Sequence, residues 1–204
     1  MVLELLHKSL EAAVSVRSIE LRDDERLNYV KPLQLITDKP VLYVCNVDES
    51  AAATGNDYVD QVKTTVADEN AQVLVLAVAT EADINELDTY EERQLFLEDL
   101  GLDEPGAAKL IRAAYTLLNL ETYFTAGEKE VRAWTISAGA TAPQAAGVIH
   151  TDFEKGFIRA EVISYSVYDE YGSEQKVKEA GKARVEGKDY IVQDGDVMQF
   201  RFNV

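Results

Sequence analysis

Residues 41–50 read VLYVCNVDES, and the fold turns on how this stretch is read. Pro40 opens a run of β-formers, Val41 to Val44, which ends at Cys45 and breaks into the polar corner Asn46-Val47-Asp48-Glu49. A short, continuous apolar run is the signature of a strand covered on both faces in a parallel sheet. Ligands of open α/β sheets collect just past the C-terminal ends of such strands. An Asn followed three residues later by an acid, at that corner, suits a purine base. The amide faces ring nitrogens, and the carboxylate accepts from a ring N–H or an amino group.

The surrounding sequence supports a parallel sheet. AQVLVLAVAT (71–80) is a second apolar run that reads as a strand. Between the two, Asn56 is placed to cap a helix of about 57–69, with Val59, Val62 and Val66 inward. Two strand–loop–helix units in 80 residues are the grammar of a parallel α/β sheet. Upstream, LELLHKSLEAA (3–13) has apolar residues at helical spacing, and Asp23 or Asp24 can cap a second helix over 24–36, broken near Pro32. Downstream, 82–118 reads as helix with a break at Glu104-Pro105-Gly106.

From residue 121 the character changes. TYFTAG, EVRAWTI, GFIRAEVI and KDYIVQDGDVMQFRFNV are β-rich and separated by Gly turns. APQAAGVIH (142–150) reads as one short helix with Pro143 in its first turn. The Asp194-Gly195-Asp196 turn reads as a hairpin joining two strands. Four or five strands wrapped on one helix suggest a β-grasp module. The expected fold class is therefore α/β plus α+β: a partial P-loop-type parallel sheet with an N-terminal helical segment, followed by a β-grasp domain.

A base-reading corner is normally accompanied by a phosphate loop, GxxxxGK[ST]. Of the eleven glycines, Gly101 and Gly106 have the spacing, but Ala107 and Ala108 stand where Lys and a hydroxyl are needed. Neither the terminal phosphates nor Mg²⁺ would be held there. DEPG (103–106) matches DxxG only superficially, because it lies after the base corner and in a helix break.

Composition narrows the function classes. No apolar run approaches a membrane span, and the acidic, amphipathic N-terminus is unlike a signal peptide. One cysteine, Cys45, excludes an internal disulfide framework and a cysteine-rich zinc site, and a cytoplasmic location is the expectation. The formal net charge of −17 disfavours DNA. The charge is uneven, −13 over residues 1–120 and −4 over 121–204, so any RNA contact is expected in the C-terminal third.

Three sets of residues point to family resemblance: TYFTAGEKEVRAWTISAGATAPQAAGVIHTDFEKGFIRAEVI (122–163), EGKDYIVQDGDVMQFRFNV (186–204) and NVDE (46–49). Over its whole length the chain resembles the C-terminal part of the Obg-like ATPases of the YchF type. The resemblance implies three segments: 1–38, the returning half of a helical hairpin; 39–120, the second half of an OBG-type nucleotide domain; and 121–204, a TGS β-grasp domain ending at the family's C-terminus. NVDE is similar to the family's NxxE motif, which replaces the NKxD of ordinary GTPases and goes with ATP rather than GTP. The resemblance assigns Asn46 to the adenine ring, the Val47 carbonyl to the adenine amino group and Glu49 to support of the loop. It also assigns Ala77 and Val78, in AVATEADI (77–84), to packing against the base. It implies ATP (GTP as the alternative) with Mg in an intact hydrolase, and a ribosomal partner, the large subunit or ribosomal RNA, reached through the TGS and helical regions. The P-loop half lies outside these residues, so the expectation is a fragment or truncated product. No hydrolysis, catalytic residue, metal ligand or bound cofactor is expected from this chain alone. Surfaces that the P-loop half would cover are expected to promote self-association, with residues 1–36 mobile or packed on another chain.

Two rival readings come from the residues themselves. A stand-alone TGS module would bind RNA or protein with no nucleotide, through an aromatic–cationic platform of Tyr123, Arg132 and Trp134 or through Lys155, Arg159, Lys182 and Arg184. A metal-dependent enzyme would draw on His150, Asp152 and Glu154, although HTDFEKGF reads as a loop that spreads these groups apart. The acidic run DTYEERQLFLEDL (88–100) is expected to be a solvated helix face.

Overall fold

The computed structural model describes residues 1–69, 71–127 and 130–203. The chain divides into two compact units, Met1–Leu118 and from Asn119 onward.

The first unit begins with helix α1 (Val2–Glu11). A short stretch at Val16–Ser18 follows, then α2 (Asp23–Glu25), which continues through a π turn (Arg26–Val30) into a 3₁₀ turn (Lys31–Leu33). The helix expected over 24–36 is thus shorter and irregular. Pro32 lacks the N–H that would continue the α ladder, and Gln34 leaves the helix in the left-handed region at φ 49°. Its start is capped from inside: the Arg22 N–H donates to the Glu25 carboxylate at 3.3 Å, rather than Asp23 or Asp24 serving as the cap. Leu6, Val16 and Val30 are fully buried against one another, with Val2, Ile19, Leu21 and Leu35 around them. Residues 1–36 therefore carry a small core of their own.

Strands β1 (Leu42–Asn46) and β2 (Gln72–Leu76) pair in parallel, from Leu42 opposite Gln72 to Asn46 opposite Leu76. Helix α3 (Asp57–Thr65) connects them, and Asn56 Oδ1 accepts from the Tyr58 and Val59 N–H groups at 3.1 Å each, as a cap residue should. Arg17 ties the N-terminal segment to this sheet. Its guanidinium donates to Glu69 at 2.8 Å, and the Tyr43 hydroxyl donates to the same carboxylate oxygen at 3.0 Å. These bonds, Arg17's first, hold the Glu69 carboxyl below its ordinary range.

The run 71–80 is not one strand. It leaves the sheet at Leu76, and α4 (Val78–Glu86) starts two residues later. The helical region that follows is split twice, into α5 (Tyr90–Asp99) and α6 (Gly106–Leu117). The first split comes from a capping box: Glu92 N–H donates to Thr89 Oγ1 at 3.2 Å, and Thr89 N–H to Glu92 Oε2 at 3.1 Å.

The second unit is a five-stranded mixed sheet in the order β4-β3-β7-β5-β6. β3 (Leu120–Ala126) and β4 (Val131–Ser137) form an antiparallel hairpin. The helices α7 (Ala142–Ile149) and α8 (Thr151–Lys155) follow, then β5 (Phe157–Ser164), α9 (Tyr165–Tyr171), α10 (Glu174–Glu179), β6 (Arg184–Glu186) and β7 (Asp196–Phe202). β7 runs parallel to β3 and antiparallel to β5, closing a β-grasp sheet over α7. Ala142, Ala145 and Ala146 are fully buried, so α7 lies close on the sheet. Tyr123 is buried beneath it and donates to the Ala145 carbonyl at 2.9 Å. Burial pushes the Tyr123 phenol well above its ordinary pKa.

Two expectations fail in this unit. The Asp194-Gly195-Asp196 turn is not a hairpin: it delivers the chain into β7, whose sheet neighbours are β3 and β5. Asp194 Oδ1 accepts from the Thr122 N–H at 2.8 Å, so the turn is clipped to β3 instead. HTDFEKGF is not a spread loop but contains α8, started by His150, whose Nδ1 accepts from the Asp152 N–H at 3.1 Å.

Candidate nucleotide-base site

Asn46 is the last residue of β1 and is exposed at its C-terminal end. Two bonds sew the corner after β1 to the corner after β2. The Val47 N–H donates to the Leu76 carbonyl at 2.8 Å, and the Val78 N–H donates to Asn46 Oδ1 at 3.1 Å. The second bond orients the Asn46 amide. With its oxygen committed to the protein, its NH₂ is the group left to meet a ligand acceptor. Among the described residues no hydrogen bond engages the Val47 carbonyl, so the corner presents one donor and one acceptor side by side.

Asp48 and Glu49 open a 3₁₀ turn (Glu49–Ala51), in which the Asp48 carbonyl accepts from Ala51 N–H at 2.9 Å and that of Glu49 from Ala52 N–H at 3.0 Å. Glu49 itself is exposed. Ala77 and Val78 sit opposite in different ways: Ala77 is buried at 4% exposure, while Val78 is 55% exposed. Of the pair, only Val78 offers side-chain surface to a ligand.

Behind this corner lies a support that sequence reading missed. Glu81, in the first turn of α4, accepts from Gly106 N–H at 2.5 Å and Ala107 N–H at 3.0 Å. A carboxylate thus caps the N-terminus of α6, where unpaired amides and the helix dipole favour negative charge. A Cβ at Gly106 would stand 1.9 Å from Leu76 Cδ2 and 2.8 Å from Glu81 Oε1, so glycine is required by close approach. The same contacts rule out a phosphate cradle at Gly101–Gly106, because Glu81 already occupies the amides that an anion would need. Glu104-Pro105-Gly106 signalled a helix break, but nothing in its spacing pointed to Glu81.

The other candidates separate. His150 Nδ1 is 3.4 Å from Asp152 Oδ2, while Glu154 turns away against Gly147. Among the described residues no group of three or more His, Cys, Asp or Glu is placed to hold a metal ion. The proposed platform divides between core and surface: Tyr123 is buried, whereas Arg132 lies 4.0 Å over the Trp134 ring, whose Nε1 donates to Thr125 Oγ1 at 2.9 Å. Lys155, Arg159 and Lys182 are exposed, and Arg184 is engaged by Glu186, Tyr190 and Asp196. Cys45 is half-buried in β1.

A parallel strand pair whose C-terminal corner presents Asn46 and the Val47 carbonyl, followed by a β-grasp unit, defines the class: an α/β unit with an appended β-grasp domain. Comparison with known proteins agrees. Residues 120–203 match the family model YchF-GTPase_C, described as "Protein of unknown function (DUF933)". Over 203 residues the chain is 56% identical to "Ribosome-binding ATPase YchF" of Haemophilus influenzae, covering all of this chain and 55% of that protein. It is 44% identical over 184 residues to "Obg-like ATPase 1" of Rattus norvegicus, covering 89% of this chain and 46% of the relative. The solved YchF GTPase of Schizosaccharomyces pombe superposes with a TM-score of 0.83 at 34% identity, over 98% of this chain and 53% of that one. The chain matches the C-terminal portion of YchF-type proteins of the Obg-like ATPase family. It spans about half the length of the curated relatives it matches.

Proposed function

We propose that the corners at 46–49 and 77–78 form the base-recognition half of an ATP site in a ribosome-associated ATPase, with the C-terminal unit as its TGS interaction domain. The observation that carries this reading is the Val78 N–H bond to Asn46 Oδ1, which fixes the Asn46 amide as a donor. A donor there suits a purine ring nitrogen, and the open Val47 carbonyl suits the adenine amino group. Guanine would place a carbonyl oxygen against that acceptor, so the corner prefers adenine. Glu49 supports the loop, and Val78 packs against the ring. The phosphates and Mg²⁺ would be held by residues outside this chain, and this chain alone does not hydrolyse ATP.

The names of the relatives support the partner, since those from bacteria are called ribosome-binding ATPases. In this reading the protein is cytoplasmic. Nucleotide state biases how the helical and TGS regions engage the ribosome, and apolar surface left exposed on the first unit drives self-association. The direct test is a titration of the ¹⁵N-labelled chain with adenosine and with guanosine, followed at the Val47 and Val78 amides. Millimolar binding of adenosine, about 4 kcal/mol, should shift both amides, weaken in Asn46→Ala and be absent with guanosine. Equal response to both nucleosides, or none, would sink the base reading.

A second reading, a TGS module acting without nucleotide, rests on the separate core of the second unit around Tyr123, Ile136 and Met198. Under it the chain alone would co-sediment with ribosomes in a salt-sensitive manner, whatever nucleotide is present.

A further inference from the structure

Thr80 lies in the first turns of α4, directly behind Ala77, and is 1% exposed. Its hydroxyl is fully buried and has no hydrogen-bond partner among the described residues. A threonine inside a helix ordinarily bonds back to the carbonyl three or four residues earlier. Neither of those carbonyls receives it here; Leu76's accepts from Val47 N–H at 2.8 Å and Ala77's from Glu81 N–H at 3.0 Å. The first of those bonds is one of the two that join the corners after β1 and β2. Thr80 also lines a small cavity between β2, α4 and the start of α6, with about 10 Å³ open to a water molecule. That is the room one internal water needs. Glu81, Glu104 and Lys109 are the other polar side chains on its wall, with Leu76 and Ala52 on the apolar side.

We propose that this cavity is a hydration site for a single internal water, which bonds to the Thr80 hydroxyl and bridges it to the Glu81 carboxylate that caps α6. A buried hydroxyl is costly unless it is bonded, and an internal water is the usual remedy where the cavity is polar. The Glu81 oxygens each accept one N–H and retain lone pairs for a further donor. The Lys109 ammonium on the wall and the pairing of Glu104 with Arg112 disfavour a metal cation in the same space. The water joins α4, which carries Val78, to the start of α6, which Glu81 caps. This site stands on Thr80 and the cavity alone and does not depend on what the corner binds.

Crystal structures of the whole chain decide it, as wild type, Thr80→Ser and Thr80→Val, with a rubidium soak of the wild type. The expected result is one spherical density peak at about 2.8 Å from the hydroxyl in wild type and Thr80→Ser. The peak is lost in Thr80→Val and carries no rubidium anomalous signal. A wild-type hydroxyl bonded to a protein carbonyl with no peak, a peak that persists in Thr80→Val, or a rubidium peak would each overturn it. Should Thr80→Val not fold, the wild-type density decides.

Discussion

Among the glycines of the first unit, Gly106 is the one where an added Cβ would come closest to other atoms. Its missing Cβ leaves the space taken by Leu76 Cδ2 and by the carboxylate of Glu81. Gly106→Ala is therefore an overpacking substitution at a helix start, and forcing backbones apart in a packed site costs about 1–3 kcal/mol. A lowered urea midpoint with unchanged slope is expected; an unchanged midpoint would mean that the α6 start moves freely. Arg17 supplies a pH-dependent counterpart. Its bond to Glu69 depresses the folded-state pKa of that carboxyl below its ordinary value of 4.5. Stability from a depressed carboxyl is present above its unfolded pKa and lost as pH falls through the folded value. Arg17→Met should thus lower the urea midpoint at pH 7, and the gap to wild type should close as the pH is taken below 4.5. A gap equal at both ends of that range would assign the effect to packing of the arginine stem. Residues of this kind were only partly legible. Asn46 could be picked out because a polar amide at the end of an apolar run is conspicuous. Glu81 and Thr80 could not, since their roles come from Gly106, 25 residues away, and from a cavity wall.

Elements were legible where local chemistry decides them and obscure where a distant bond does. Asn56 announces α3 because its side chain satisfies the first amides of the helix it precedes. The run AQVLVLAVAT shows no break, because an apolar stretch reads alike in a buried strand and a buried helix start. What ends the strand is the Asn46 side chain taking the Val78 N–H, a partner 32 residues away. The Asp194–Asp196 turn misled for a similar reason: its hairpin chemistry is genuine, but β7 pairs with strands distant in sequence. The α7 helix shows the reverse, since three alanines and Pro143 mark a short helix made for close packing. Its seat on the sheet includes the bond from the Tyr123 hydroxyl to the Ala145 carbonyl. Tyr123→Phe leaves the Ala145 carbonyl without that donor in a buried position, at a cost of about 1–3 kcal/mol. Thermal unfolding should register the loss, and an unchanged melting temperature would show that α7 needs no polar anchor.

At the scale of the molecule, two opposing quantities govern association. The formal charge of −17 makes copies repel, and that repulsion is long-ranged only at low ionic strength. Against it stands apolar surface on the N-terminal segment, where Leu3, Leu10, Val14, Leu27 and Ile36 are 40–85% exposed although Leu6, Val16 and Val30 are buried beside them. A parallel sheet of two strands adds to it, with Val44 at 43% exposure in β1. Parallel strands are ordinarily covered on both faces. Exposed apolar side chains favour burial against another surface where they adjoin. Salt shifts the balance one way: it shortens the screening length to about 10 Å at 0.1 M and leaves the apolar attraction intact. Sedimentation velocity should show a species near 22.6 kDa at low salt and a rising weight-average mass as sodium chloride is added at fixed protein concentration. Leu10→Glu together with Ile36→Glu should suppress the rise without changing the fold. A mass that stays monomeric at every salt concentration would mean that the exposed leucines are too scattered to form a binding surface. A rise that survives both substitutions would move the contact to the β1–β2 sheet.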